Sequence, residues 1–229
     1  TMKKIVSFLI YLVIIPLSIY FCFLLYKFKK YDLFSLIIAF LAIIPFFLNF
    51  EKKNLKIEKI VLISAFVAIT TLSPLLFNFI TFLPGFNPIS AIIILIALAF
   101  DGEIGFMVGT LTALISNNYL GHGPWTIFQM FSWGIIGYLS GILKNVLKKN
   151  WVFLVIFGVF SAVLYSLIMD TYTVLSYDNA FNFKRFLVIS SISLPFTITY
   201  VIANVLFLVL FRDLFLKRLE RIIKKYNLS

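Results

Sequence analysis

Charge, cysteine and histidine are scarce in this chain of 229 residues. Only 13% of the residues are Asp, Glu, Lys or Arg, against about 25% in an ordinary globular domain. Cys22 is the only cysteine and His122 the only histidine, which excludes a disulfide scaffold and argues against a catalytic metal centre. The sequence contains neither a G-x-x-x-x-G-K-[ST] loop nor a G-x-S-x-G turn, so neither ATP hydrolysis nor serine-hydrolase chemistry is indicated. We predict no catalytic residue, no metal and no cofactor.

Apolar residues dominate instead. They make up 62% of the chain, and the mean hydropathy is +1.06, more apolar surface than one soluble domain can bury. Runs near the roughly 20 residues that span a bilayer recur along the chain. The sequence therefore predicts an all-α, multi-pass membrane bundle of about eight helices. The predicted spans are Ile5–Tyr26, Leu33–Phe50, Ile60–Phe82, Ile89–Phe100, Ile104–Asn118, Trp125–Leu143, Trp151–Met169 and Phe186–Phe211.

The net charge of +11 lies almost wholly between the apolar runs. Lysine and arginine concentrate before the first run, around 51–59, at 144–149 and after Phe211, and few lie in the alternate segments. This is the positive-inside pattern of a membrane protein whose two termini are cytoplasmic, not a nucleic-acid-binding face. Lys27, Lys29 and Lys30 fall on the outer side in this topology. Residues 213–229 are predicted to form a basic amphipathic tail at the headgroups.

The predicted outer segments carry amides and aromatic rings, which suit a largely neutral ligand. Gln129 and Trp133 lie four residues apart and therefore share a helix face one turn below the loop. Other interpretations stay open: interfacial anchoring for Trp125, a helix-to-helix hydrogen bond for Gln129, and helix capping for Asn117. The candidate ligand-binding residues are Phe86, Asn87, Asn117, Asn118, His122, Trp125, Gln129, Trp133, Asp170 and Tyr172.

Glycines recur at helical spacing in the same region of the sequence. Such spacing lets two membrane helices approach closely, because no side chain stands between their backbones. The predicted packing positions are Gly105, Gly109, Gly134, Gly137 and Gly141.

The run from Leu83 to Leu143, above all Gly121-His122-Gly123-Pro124-Trp125-Thr126-Ile127-Phe128-Gln129-Met130 followed by Trp133-Gly134-Ile135-Ile136-Gly137, resembles the S components of energy-coupling factor (ECF) transporters. These are bacterial vitamin-uptake proteins with a six-helix core. The resemblance implies a core at 51–212, preceded by a transmembrane hairpin at 1–50 that lies outside the family pattern. It also implies the plasma membrane of a bacterium as the location.

The resemblance further implies partners and a substrate class. An S component captures a vitamin from outside and docks on a transmembrane coupling subunit that two cytoplasmic ATPases drive. In the family, docking uses small residues in an Ala-x-x-x-Ala pattern, and the matching positions here are Ser64, Ala65 and Ala68. The Gly-Pro-Trp-Thr variant is similar to members associated with cobalamin or its precursors. Two alternatives remain from the sequence: an autonomous carrier or channel, and a membrane scaffold.

Overall fold

The chain is described by a computed structural model at residues 57–77, 85–178 and 180–226 and at scattered positions between 37 and 48. Those residues form an all-α bundle. Its helices are α1 (Ile57–Phe77), α2 (Ile89–Ala99), α3 (Gly102–Leu120), α4 (Trp125–Ile142), α5 (Lys144–Lys149), α6 (Trp151–Asp178) and α7 (Phe183–Lys225). The predicted span Ile5–Tyr26 lies outside the described residues, and Leu33–Phe50 is described only at scattered helical positions. The count of eight spans is therefore not confirmed.

Helix α2 lies at the centre of the bundle. Every residue from Ile89 to Leu98 is buried, and α1, α3, α4, α6 and α7 all pack against it. A helix that is apolar all round has no face to present to water, so it is stable only when other helices or lipid surround it. The uninterrupted apolar run of α2 thus explains its central position.

Three of the helices, α1, α6 and α7, are long and apolar enough to cross a membrane. Helix α6 continues past the predicted end at Met169 and reaches Asp178, so the prediction of an outer loop that begins at Asp170 is wrong. Asp170 is tolerated in this helix because it has a partner: Ser193 of α7 donates a hydrogen bond to it across 3.0 Å. One turn further on, Val174 is fully buried, so the helix stays packed against the bundle there.

Pro74 lies inside α1, where a proline commonly kinks or ends a helix. A proline lacks the backbone N–H that would donate to the carbonyl four residues earlier, here that of Thr70. The hydroxyl of Ser73 donates to that same carbonyl oxygen across 2.7 Å. The side chain thus replaces the missing donor, and the helix continues to Phe77.

Helix α7 runs without a break through Arg212 and ends at Lys225. The predicted tail is therefore a continuation of the last apolar helix up to that residue. Leu216 and Leu219 are buried, and the ring of Phe215 lies 5.9 Å from the ring of Phe66 on α1. These contacts hold the end of α7 against the start of the core. Contact of the tail with headgroups stays a prediction.

The two ends of the bundle differ in charge. One end, which we call the basic end, gathers the start of α1, the α2–α3 turn, α5 and the end of α7. There Lys144 donates to the backbone carbonyl of Phe100 across 3.1 Å. The ammonium nitrogen of Lys59 lies 5.6 Å from the centre of the Phe100 ring. The opposite end, which we call the amide end, gathers the end of α3, the start of α4, the end of α6 and the start of α7. There Arg185 pairs with Asp178 at 2.7 Å.

Candidate functional site

Helices α3 and α4 make the most extensive helix contact of the described bundle. The predicted packing glycines lie along it. A Cβ atom added to Gly105 would lie 2.6 Å from the carbonyl oxygen of Gly137, and one added to Gly134 would lie 2.7 Å from Phe106 and from Thr110. Gly109 faces the backbone of Trp133. The two backbones therefore touch directly, and this contact fixes the side chains that α3 and α4 direct toward the amide end.

A chain of hydrogen bonds starts where α3 ends. The Asn117 amide is buried. It donates to the Thr126 hydroxyl across 2.8 Å and to the Gln129 side-chain oxygen Oε1 across 2.7 Å. The Gln129 amide nitrogen lies 3.2 Å from the hydroxyl oxygen of Tyr165, to which it donates. Three helices thus meet through side-chain polar groups, which is how polar residues become tolerable at membrane depth.

Aromatic rings continue this chain toward the interior. The ring of Tyr165 stacks on Trp133 with centroids 5.4 Å apart and planes 8° from parallel. On another side Tyr165 meets the edge of Tyr200, also at 5.4 Å, with the planes 88° apart. We call Asn117, Gln129, Trp133, Tyr165 and Tyr200 the aromatic–amide cluster. It combines flat apolar faces with amide donors and acceptors, the surface that a planar heteroaromatic molecule requires.

A small cavity borders the cluster. It measures about 10 Å³, room for about one water molecule. Asn204 contributes an amide to its wall and is itself held by a 3.0 Å bond from Nδ2 to the carbonyl of Gly158. The cavity is lined by Asn87, Ser90, Trp133, Ala162, Tyr165, Tyr200 and Asn204. Any ligand larger than water would have to part these side chains.

Some predicted site residues lie at this cluster and others do not. Asn87 lines the cavity, and the adjacent Phe86 is buried with its ring 5.8 Å from Phe77. Asn118 is exposed and bonds back to carbonyls of its own helix. His122 is an exposed residue between α3 and α4, and the exposed Trp125 begins α4.

The predicted residues on α6 lie beside the cluster. Asp170 is buried and accepts the hydrogen bond of Ser193 at the contact between α6 and α7. Tyr172 packs on Phe128 of α4, with ring centroids 5.0 Å apart. Neither residue lines the cavity. The predicted ligand contact of either residue therefore requires a ligand that extends beyond the cavity.

Sequence reasoning missed Ser90, Ala162, Tyr165, Tyr200 and Asn204. Their signal was present, since Tyr165, Tyr200 and Asn204 are polar residues in the middle of long apolar runs. Such residues are costly in a membrane unless they have partners or a function. Tyr200 and Asn204 are also four residues apart, so they share one face of α7.

The predicted docking residues lie on the outside of α1. Ser64, Ala65 and Ala68 are exposed, whereas Phe66 and Val67 between them are buried. The Ser64 hydroxyl donates to the carbonyl of Ile60 across 3.0 Å, so it presents little polarity of its own. Ala65 also borders a groove of about 470 Å³ that Ile222 on α7 lines from the other side.

Long apolar helices around a buried aromatic–amide cluster define a multi-pass membrane protein with a candidate ligand site. Comparison with known families then identifies the class of transporter: residues 54–217 match the family described as ECF-type riboflavin transporter, S component. The chain belongs to this family of S components. It is a transporter subunit and not an enzyme, and S components work with a membrane-embedded T component and ATPases. No curated protein and no solved structure matches the chain.

Proposed function

We propose that this S component binds riboflavin, or a flavin close to it, at the aromatic–amide cluster. The observation that carries the proposal is the stacked pair of Trp133 and Tyr165 with the Gln129 amide bonded at its edge. The name of the matching family points to the same ligand. A flavin ring is planar, with apolar faces and hydrogen-bonding atoms along its edge, and the cluster offers complementary surfaces to both.

The small cavity sets a requirement on binding. A cavity of about 10 Å³ is far below the roughly 300–1,000 Å³ of ordinary ligand sites. The bound ring must therefore take over a stacking face that the protein now uses internally. Tyr165 is the residue we expect to move, because its ring covers one face of Trp133 and its hydroxyl holds Gln129. Its displacement would free a ring face and an amide together.

The predicted corrinoid substrate is not supported by the family match, which names riboflavin. A corrinoid is also much larger than a flavin, and it would have to open the described cavity further. Cobalamin and its precursor cobinamide therefore serve as comparison ligands, and we expect riboflavin to bind at least tenfold more tightly than either, a difference of about 1.4 kcal/mol.

The test is a titration of purified protein with riboflavin, whose own fluorescence decreases when its ring stacks on an aromatic side chain. Trp133→Leu should raise the Kd about 5- to 150-fold, because stacking of a ring on an aromatic side chain contributes about 1–3 kcal/mol. Trp125→Leu is the matched control, since Trp125 lies outside the cluster. Tight binding in the Trp133 variant, or equal loss in both variants, would contradict the assignment. A melting curve of each variant separates lost binding from lost folding.

We propose further that the basic end faces the cytoplasm of a bacterial cell and that both termini lie there. The lysines and arginines at α5 and along the end of α7 support this orientation. Riboflavin would then reach the cluster from the amide end, which faces outward. Cysteine labelling of variants that also carry Cys22→Ser tests the orientation. A membrane-impermeant maleimide should label Tyr177→Cys in intact cells and should not label Lys217→Cys. The reverse labelling would overturn it.

We also propose that the coupling subunit docks on the small-residue face of α1. The support is the exposure of Ser64, Ala65 and Ala68 on a helix whose other face is buried. Ala68→Trp should abolish co-purification with the coupling subunit and leave the riboflavin Kd unchanged. Ile156→Trp, on the exposed face of α6, is the control and should retain the complex. Complex formation by the Ala68 variant would place docking elsewhere.

A further inference from the structure

A second groove lies on the outside of the bundle at the basic end and shares no lining residue with the cavity at the aromatic–amide cluster. It has a volume of about 370 Å³ and is bounded by the start of α6 and the later part of α7. Its walls are apolar, with Leu154 and Val155 on one side and Leu208 and Val209 on the other. Val209 is more than half exposed, so the groove is open toward the surroundings of the bundle.

Arg212 stands at the polar end of this groove. A guanidinium group has five N–H donors. Here one terminal nitrogen donates to the backbone carbonyl of Lys148, and the other forms a salt bridge with Asp213 at 3.4 Å. The Nε atom is buried and has no acceptor among the described residues. Arg212 therefore keeps donor capacity that its described neighbours leave unused.

Asp213 does not neutralise Arg212 effectively. The carboxylate side chain is 74% exposed, whereas the Arg212 side chain is 21% exposed. A long ion pair with one partner in solvent contributes little and is screened further by salt. Lys148 and Lys149 precede the groove on α5. Lys148 pairs with Glu220, and Lys149 adds a further positive charge, so the net charge around Arg212 stays positive.

The position along the chain places Arg212 at headgroup depth. It is the first charged residue after the apolar stretch of α7, which has none from Phe186 to Phe211. Trp151, at the start of α6, borders the groove at the same level and is largely exposed. Tryptophan is enriched at this interface because its ring is apolar and its N–H is polar. The groove thus runs from headgroup level into the apolar depth of the bilayer.

We propose that this groove binds one anionic phospholipid of the leaflet at the basic end. The phosphate diester accepts hydrogen bonds from Arg212, and an acyl chain lies along Val155 and Val209. Charge complementarity favours an anionic lipid over a zwitterionic one, because the cation of a choline headgroup would meet Arg212 and the α5 lysines. Guanidinium groups pair well with phosphate oxygens, and basic pockets between membrane helices bind anionic headgroups in this way.

Quenching of tryptophan fluorescence by brominated lipid tests the proposal on the full chain. The protein is reconstituted in phosphatidylcholine vesicles that contain an equal small fraction of either brominated phosphatidylglycerol or brominated phosphatidylcholine. Subtracting the signal of Trp151→Phe isolates the quenching of the tryptophan at the groove. We expect brominated phosphatidylglycerol to quench Trp151 more strongly, and soluble glycerol phosphate in excess to leave that quenching unchanged.

Two variants identify the residue that selects the lipid. Arg212→Gln should reduce the preference for phosphatidylglycerol about fivefold, the effect of one cation near an anionic surface. Arg218→Gln removes the same charge from an exposed position on the same helix and should leave the preference unchanged. Equal quenching by both brominated lipids, an equal loss in both variants, or reversal by glycerol phosphate would each overturn the proposal.

Discussion

The contact between α3 and α4 leads to a quantitative prediction about Gly105. A methyl group at this position would lie 2.5 Å from the Cβ of Ala97 and 2.6 Å from the carbonyl oxygen of Gly137, whereas carbon atoms in contact prefer about 3.5–4.0 Å. Helices α2 and α4 would each have to move away from α3 by about 1 Å to restore that spacing. Neither neighbour has a side chain that can rotate aside, so the helices themselves must shift.

The expected cost follows from two opposing effects. Overpacking of this kind costs about 1–3 kcal/mol, and a contact with backbone belongs at the upper end of that range. Replacing glycine by alanine inside a helix stabilises it by about 1 kcal/mol. We therefore expect Gly105→Ala to lower the free energy of unfolding by about 1–2 kcal/mol, which in a chain of this size lowers the Tm by about 2–8 °C.

Gly158 supplies the matched control for this prediction. A Cβ at Gly158 would meet the end of the Leu208 side chain at 2.6 Å and nothing else within 3.5 Å. Leu208 can rotate, so Gly158→Ala should keep the Tm or raise it slightly. Thermal unfolding of the purified variants in one detergent measures both values. If Gly105→Ala proves as stable as Gly158→Ala, the backbone contact between α3 and α4 is refuted.

Three further outcomes are expected. Asn117→Leu should weaken riboflavin binding at least tenfold, because it removes the bond that positions Gln129 and a second bond to Thr126. Asn118 is exposed on the same helix, so Asn118→Leu should change the Kd less than about twofold; equal effects of the two variants would contradict this. Asp170→Asn should leave the riboflavin Kd within about twofold. The residue does not line the cavity, and an amide oxygen still accepts the hydrogen bond of Ser193. A large loss of affinity would place Asp170 in the binding site. Glu220→Gln should change the Tm by no more than about 2 °C at any salt concentration, because its ion pair with Lys148 is exposed. A larger change would show that this pair fastens the end of α7 to α5.

Much of the fold followed from the sequence because the bilayer imposes a simple rule on it. An apolar run of sufficient length must be helical, since every backbone polar group needs a partner in lipid. Six predicted spans accordingly overlap α1, α2, α3, α4, α6 and α7. The helix ends were harder to predict. The predicted span Trp151–Met169 stops short, because α6 continues to Asp178. On this extension Asp170 accepts a bond from Ser193, and Asp178 pairs with Arg185.

The candidate site was predictable only in part. Gln129 and Trp133 stood out because they adjoin a loop rich in glycine and proline. Tyr165 and Tyr200 had no such local pattern, because what unites them is the packing of α6 against α4 and of α7 against α6. Periodicity assigns a residue to one face of its own helix, but it does not say which neighbour that face meets. Only tertiary structure supplies that information.

Helix α7 also acts as one stiff rod between two distant surfaces. From Tyr200 in the aromatic–amide cluster to Ile222 beside Ala65, the helix extends about 33 Å at 1.5 Å per residue. An unbroken hydrogen-bonded helix resists twisting, so a turn of the rod at one of these residues also turns the other. A ligand that displaces Tyr165 would change its contact with Tyr200 and thereby the groove beside α1. By reciprocity, a partner bound against α1 would change the affinity for the ligand.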